Sequence, residues 1–438
     1  MPVSAGGGLT GPGSDARLLQ AARRGLERAV SPQGPLGLAV SGGSDSLAML
    51  HLMAEAAGPA GRALQVVTVD HGLRPEAAEE AAVVAGICAG LGLPHRVLVW
   101  DHGGRIEGNL MQAARRARYR LMAEWALAAG IGDIALAHTA DDQAETFLMG
   151  LAREAGLDGL TGMSGSFAEG GVRFHRPFLR QSRADLRGYL ARRGVTWIDD
   201  PSNDNDRFTR VRARRALGAL KPLGITVDRL AAVIDHLAMA QGVVTGAVAQ
   251  AGRDLVTEAA GGLVFDAGAL WACDPEVARR LLVAMVRWIG GADHPPRAAK
   301  IAALTAGLRA GREATLGGCR FRQKAGRVSV TRELRAVQGA VPLGQVWDGR
   351  WRVTGPGDGS GGGPDGAGLE IRALGAAGLR LCPDWRATGL ARPVLEATPA
   401  VWQGETLIAA PCAGAGAGSG AGWTAETVPD FGSFLLSH

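Results

Sequence analysis

From Leu36 to about Trp197, short apolar stretches alternate with helical periodicities, and this alternation narrows the possible folds more than anything else in the chain. It is the mark of a parallel sheet covered by helices on both faces. Leu36 to Val40, Leu64 to Val69, Arg96 to Trp100 and Asp133 to Ala137 read as strands. Helices are expected over Asp45 to Ala57, Pro75 to Leu91, Asn109 to Ala129 and Asp141 to Arg153. The fold class is therefore α/β, an open, doubly wound parallel sheet.

A chain of 438 residues exceeds one ordinary core, and its pattern changes past Arg215. Val227 to Ala260 and Pro275 to Leu308 read as helical, Ala-rich and poor in strands. From about Val341 the sequence turns strand-like, with glycine-rich interruptions at Gly355 to Gly368 and Ala413 to Gly422 that read as flexible loops. The expected division is a flexible N-terminus (1–16), an α/β domain (17–220), a small helical domain (221–335) and a small α+β domain (341–438). No basic leader precedes an apolar run at the N-terminus, and no uninterrupted apolar run is long enough to cross a bilayer, so a cytoplasmic chain without a membrane partner is expected.

Cys88, Cys273, Cys319, Cys382 and Cys412 are scattered, odd in number and free of C-x-x-C pairs. That argues against a disulfide framework, a zinc ribbon or a redox centre. The net charge of +5 is weak evidence for a polyanionic partner, but nearly all the positive charge is arginine. Arg115 to Arg120 and Arg207 to Arg215 form dense clusters in the first half, and the guanidinium fork suits phosphate. A GC-rich genome explains any single cluster equally well.

Ser41-Gly42-Gly43-Ser44-Asp45-Ser46 stands directly after the first strand and opens a helix. Backbone N–H groups and a positive helix end then meet at the carboxyl edge of the sheet, where an anion is expected to sit. Glycines let the backbone approach phosphate and serines add donors. The plain alternative is a tight turn with Ser44 as N-cap. A Walker loop is excluded, because none of the three lysines, Lys221, Lys300 and Lys324, follows a glycine. Asp45 beside a triphosphate would be repelled without an intervening cation, so it reads as a magnesium ligand; a helix-dipole acid is the alternative.

The second constellation is Ala137-His138-Thr139-Ala140-Asp141-Asp142-Gln143-Ala144-Glu145-Thr146. It lies between the fourth strand and its helix, a neighbour of the first loop across the switch point of a doubly wound sheet. Acids at a capped helix start need no function by themselves. A histidine, two aspartates and a glutamate in one turn, however, repel unless a cation offsets them, and lysine as co-substrate or magnesium would do so.

The loop order resembles the pyrophosphate loop of the N-type ATP pyrophosphatases, which cleave ATP between its α and β phosphates and leave AMP on an activated oxygen. The second constellation resembles the corresponding segment of the tRNA(Ile)-lysidine synthase family. Further segments agree in order: Val69 to Arg74, Ala114 to Tyr119, Gly156 to Met163, Arg176 to Leu179 and Trp197 to Asn203. The likeness spans roughly residues 36 to 216, with a weaker echo at Arg386 to Pro411. It implies a PP-loop ATPase fold of the adenine nucleotide alpha hydrolase type. It also implies ligation of lysine to the wobble cytidine of the CAU-anticodon isoleucine tRNA through an adenylated intermediate, releasing AMP and pyrophosphate.

Carried over by residue, Ser41, Gly42, Gly43, Ser44, Asp45, Ser46, Asp70, His138 and Arg115 would bind ATP. Asp142 and Glu145 would hold lysine, and Arg210, Arg212, Arg214 and Arg215 would hold tRNA. Asp45, Asp142, Glu145, Arg118 and Arg212 would carry the chemistry, with Mg2+ on Asp45. The implied partners are ATP, free L-lysine and tRNA, the last bound also by the 221–335 domain; a homodimer is an allowed assembly. The family's Gly-Asn-x-Glu-Ala reads Gly108-Asn109-Leu110-Met111-Gln112 here, and an amide is lost at Val211. Two other readings are a related tRNA thiolase, disfavoured because no cysteine adjoins the loops, and a non-catalytic RNA-binding protein, disfavoured by the intact motifs.

Overall fold

A computed structural model describes residues 12–29, 34–73, 76–103, 110–198, 209–292, 294–337, 339–356, 368–416 and 422–437. Arg74, Asn109, Arg207, the Asp199 to Asn203 motif and the centres of both glycine-rich interruptions lie outside these residues. The chain divides into two compact units, Met1–Gln241 and Gly242–His438.

The first unit runs α1 (Pro12–Glu27), β1 (Leu36–Ala39), α2 (Ser44–Ala60), β2 (Leu64–Asp70), α3 (Glu76–Gly90), β3 (His95–Val99), α4 (Leu110–Ala128), β4 (Asp133–Ala135) and α5 (Ala140–Leu151). It continues through α6 (Leu157–Leu160), β5 (Ser166–Glu169), β6 (Val172–His175), α7 (Arg183–Arg192), α8 (Thr209–Leu220) and the start of α9 (Val227–Leu255). Each strand and helix read from the 36–153 pattern is present within a few residues. The sheet order is β3-β2-β1-β4-β6-β5, parallel except for β5. The order reverses between β1 and β4, so the turns that follow them open side by side.

Period-two alternation explains the two-sided burial. Leu36, Leu38 and Val66 face a core built with Leu18 and Leu26 of α1, Leu47 and Leu50 of α2, and Leu186 and Leu190 of α7. Val67, Ile134 and Phe174 face Tyr119, Met122 and Ala126 of α4. A Cβ at Gly37 would lie 2.9 Å from Ile134 Cγ1 of β4 and 3.2 Å from the Trp125 ring of α4, so glycine lets α4 pack this closely on β1. Each fully buried leucine contributes roughly 1.5–3 kcal/mol.

Three expectations need correction. The N-terminal 1–16 segment is not wholly flexible, because α1 begins at Pro12. Its Ser14 hydroxyl donates to Asp185 at 3.0 Å, Asp15 pairs with Arg193 at 3.1 Å, and Leu18, Ala22 and Leu26, spaced by one helical turn, are buried. The 221–335 region is not purely helical either. Alongside α9, α10 (Ala267–Ala272), α11 (Pro275–Gly290) and α12 (Ala298–Arg309) it holds β7 (Val256–Ala259), β8 (Gly262–Asp266), β9 (Ala314–Leu316), β10 (Cys319–Lys324) and β11 (Arg327–Arg332). These form an antiparallel sheet of order β7-β8-β11-β10-β9. Their apolar residues alternate with arginine, glutamine and lysine, a polar outer face that masks Phe321, Val328 and Val330 inside.

Helix α9 is 29 residues long and, with a mean hydropathy of 1.4 over its most apolar 18 residues, meets the length and apolarity of a membrane span, yet no uninterrupted apolar run crosses it. It is interrupted by polar residues, among them Asp235, which pairs with Arg180 at 3.1 Å, and its Leu230 and Ile234 join Ala144 and Phe147 in a buried cluster. Within the second unit, the residues expected as a separate 341–438 domain are tied to the β7–β11 sheet. Phe431, Phe434 and Leu435 enter its core beside Leu281 and Phe321, Trp288 Nε1 donates to Pro429 O at 2.9 Å, and Arg332 pairs with Asp348. A further five-stranded antiparallel sheet is built from segments between Val341 and Gly416.

Candidate active site

The turns after β1, β2 and β4 surround a cavity of about 790 Å3, within the size range of small-molecule sites. Ser41, Gly43, Ser44, Asp45 and Ser46 line one side, Asp70 and His71 another, and His138, Asp142, Arg118, Arg183, Arg187 and Arg214 the rest. None of the five cysteines lines it.

The glycine loop is shaped by its own serines. Ser46 Oγ donates to Gly43 O at 2.9 Å and accepts from Ser41 N at 3.1 Å. Gly42 has φ +86°, and a Cβ there would lie 2.7 Å from Ile198 Cδ1, so the turn demands glycine twice over. The N-cap of α2 is Gly43, not Ser44, and no side chain caps the helix. The positive end of α2 is therefore open to an anion.

Across the switch point, Thr139 caps α5 and Asp142 completes a reciprocal capping box: Asp142 Oδ2 accepts from Thr139 N at 2.8 Å and from Thr139 Oγ1 at 2.9 Å. Asp142 is thus a capping residue as well as a site residue, because its Oδ1 faces Arg183 Nη2 at 3.4 Å. Glu145 is 1% exposed; its Oε1 accepts from Arg214 Nε at 2.9 Å, while its Oε2 is buried without a partner. Gln143 bonds both the N–H and the C=O of Met163 and so fastens the Gly156 to Met163 segment beneath α5.

The electrostatics divide the cavity. On one side Asp45, Asp142 and Glu145 converge on Arg183. On the other, Arg118, Arg176 and Arg210 surround His138, and among the described residues no carboxylate pairs with any of these three arginines. Burial, aided by the charges of those arginines and opposed by Asp142, pushes the His138 imidazole down to about 3. Arg176 Nε donates to His138 Nδ1 at 3.3 Å, which places the neutral ring's proton on Nε2. Burial also raises Asp142, but the Arg183 guanidinium and the Thr139 bonds outweigh it and hold the carboxyl below its usual range. Asp45 stays above that range, because its burial outweighs Arg183.

His138 should therefore remain neutral throughout about pH 5 to 8, where an ordinary imidazole titrates. The check is 15N NMR of the ring nitrogens; a midpoint near the ordinary value of 6.5 would contradict this environment.

Not every expected residue reaches the cavity. Of the arginines of α8 only Arg214 lines the cavity; Arg210, one turn earlier on the same face, is exposed and acts on His138 through its charge, Arg212 is exposed and donates to Thr209 Oγ1 at 3.3 Å, and Arg215 is exposed as well. Val211 and Leu217 are buried, and that packing turns Arg212 outward. Arg115 is exposed, with its guanidinium 5.1 Å from the Tyr119 ring. His71 lies on the cavity wall, edge-on to Trp100, with a buried, unpartnered Nδ1. Trp125 and Trp197 are partly buried against the two cores, as anchors rather than stacking platforms. Asp70 Oδ1 accepts from Gly72 N at 2.8 Å and shapes the β2 turn.

Sequence reasoning missed Arg183, Arg187 and Arg176. Arg187 Nε donates to Ser44 Oγ at 3.1 Å. The available signal for Arg183 was the unmatched acid cluster itself, together with the capping pattern Ser182-Arg183-Ala184-Asp185 at the start of α7.

Among the described residues no three of His, Cys, Asp and Glu stand close enough to hold a metal unaided. Asp45 alone, with its Oδ1 3.2 Å from Ser44 Oγ, fits a magnesium ion whose other ligands are phosphate oxygens.

The PP-loop domain family matches residues 16–220. A tRNA(Ile)-lysidine synthase from Ruegeria pomeroyi is 46% identical over 411 residues, 93% of this chain and 95% of that one. Another from Methylobacterium nodulans is 38% identical over 326 residues, covering 71% and 94%. A solved structure, the U34-tRNA thiolase NcsA from Methanococcus maripaludis, is 14% identical with a TM-score of 0.45, covering 51% of this chain and 79% of that one, which is too distant to bear on function.

Proposed function

Because the chain belongs to the tRNA(Ile)-lysidine synthase family, we propose that it uses ATP to join lysine to the wobble cytidine of the CAU-anticodon isoleucine tRNA. The observation that carries this reading is the two-sided cavity, with acids on one side and, on the other, Arg118, which no carboxylate among the described residues pairs, both beside an uncapped glycine loop.

Cytidine's 2-carbonyl is a poor electrophile until its oxygen carries a good leaving group. In the first step that oxygen bonds to the α phosphorus as the α–β bridge breaks, and pyrophosphate departs into the amides of the Ser41 to Ser46 loop. Asp45 would hold a magnesium ion, which would supply charge neutralisation at the phosphates. Arg118, Arg176 and Arg210, with the His138 Nε2–H, face the AMP moiety and offset the charge that grows on it. In the second step the lysine amine attacks C2, the C2–O bond breaks and AMP leaves. Asp142 and Glu145 orient the amine, and a carboxylate takes its proton, a contribution of roughly 10²–10⁴-fold. Arg214, 2.9 Å from Glu145 Oε1, holds that carboxylate in place for the task.

The test is release of AMP and pyrophosphate by the purified chain with free lysine and unmodified tRNA varied independently. Turnover is expected to require the tRNA, and lysidine to require lysine as well. Activity that depends on a sulfur donor and ignores lysine would replace this reading with a thiolase.

A further inference from the structure

The acid cluster demands a cation, and the chain supplies one itself. Arg183, the first residue of α7, places Nε 2.9 Å from Asp45 Oδ2, Nη1 3.3 Å from Glu145 Oε1 and Nη2 3.4 Å from Asp142 Oδ1. Its backbone N–H donates to Asp141 Oδ2 at 2.7 Å, and Ala140 N donates to Gln181 O at 2.9 Å, so the starts of α5 and α7 are stitched together. One guanidinium thus serves three carboxylates through three different nitrogens.

The geometry is that of a shared counter-ion rather than a locked pair. Strong charge-assisted bonds run at roughly 2.7–2.9 Å and are often bidentate. Arg332 and Asp348 show that form in the second unit, with two bonds of 2.9 Å and side chains 7% and 1% exposed. Arg183 has one contact of that length, is 17% exposed and lines the cavity against Asp45 of the glycine loop. If its head moves, Glu145 is still held by Arg214 at 2.9 Å and Asp142 by its capping bonds from Thr139.

We propose that Arg183 is an exchangeable counter-ion that makes lysine binding wait for the nucleotide. In the empty site its guanidinium occupies the place of the lysine ammonium. The triphosphate draws it toward the cavity and off Asp142 and Glu145, whose carboxylates then receive the amine. The acids are compensated in both states, and lysine finds its full site only beside bound ATP. This goes beyond the proposed activity and rests on it.

The test is equilibrium dialysis of radiolabelled lysine against the full chain, with and without α,β-methylene ATP and Mg2+. Wild type is expected to bind lysine about tenfold or more tightly with the nucleotide analogue, within the usual range of coupling between two sites, and lysine should tighten the analogue by the same factor. Arg183→Gln is expected to bind lysine without nucleotide, its coupling falling below about threefold, and Arg183→Lys to restore part of it. Equal lysine affinity of wild type in both conditions overturns the proposal, as does full coupling in a folded Arg183→Gln protein. If that variant does not fold, the two reciprocal wild-type measurements decide the matter alone. Failure of wild type to form lysidine from ATP, lysine and tRNA would remove the underlying activity instead.

Discussion

Asp45→Asn is expected to lower tRNA-dependent AMP release by roughly 10³-fold, the scale on which one preorganised electrostatic contact counts in a dry site, while leaving the fold intact. Asparagine has almost the same shape, and its amide oxygen can still accept from Arg183 Nε, now 2.9 Å from Asp45 Oδ2. Asp142 and Glu145 continue to hold the same guanidinium. What is lost is the negative charge that, on the proposed reading, would bring a cation against the triphosphate at the open end of α2. Burial already holds the Asp45 carboxyl above its usual range, so its ionised form depends on cations nearby. The measurement is kcat/KM for ATP with saturating tRNA and lysine, beside a thermal melt. A loss of less than about threefold with an unchanged melt would remove Asp45 from the chemistry.

The largest stability effect is expected in the second unit. Asp348 is 1% exposed, accepts two bonds of 2.9 Å from Arg332, and has Arg350 Nε 3.9 Å away. Burial pushes the Arg350 guanidinium down to about 10, with Asp348 opposing the shift. Asp348→Ala leaves two guanidinium groups without their carboxylate in a dry interior, and breaking such a pair costs about 3–5 kcal/mol. Urea unfolding followed by the fluorescence of the buried Trp347 and Trp351 reads this out. Asp348→Asn, whose single amide oxygen keeps one of the two bonds from Arg332 and which suits the residue's φ of +50°, is expected to cost less. A loss below about 1 kcal/mol for the alanine variant would show that the cluster is compensated in another way.

The strands β1 to β4 and the helices between them were legible because each carries its own period, and the glycine loop because strand, turn and helix adjoin in sequence. The acid turn was legible for the same reason, down to Thr139 as its cap. The strands from Val256 to Arg332 were not, because their polar outer faces and short lengths leave little apolar signal. Arg212 could not be told from Arg214 in advance, since the burial of Val211 and Leu217 selects the face of α8 that turns inward.

By itself the sequence determined the α/β architecture, the place of the phosphate loop and the chemical character of the acid cluster. These are local properties, decided by residues within a few positions of one another. Only the tertiary structure decided what answers those acids. Arg183 lies 138 residues from Asp45, and Arg214 lies 69 from Glu145. Ion pairs between such distant positions leave no trace in local periodicity, because they exist only once the helices that carry them have packed.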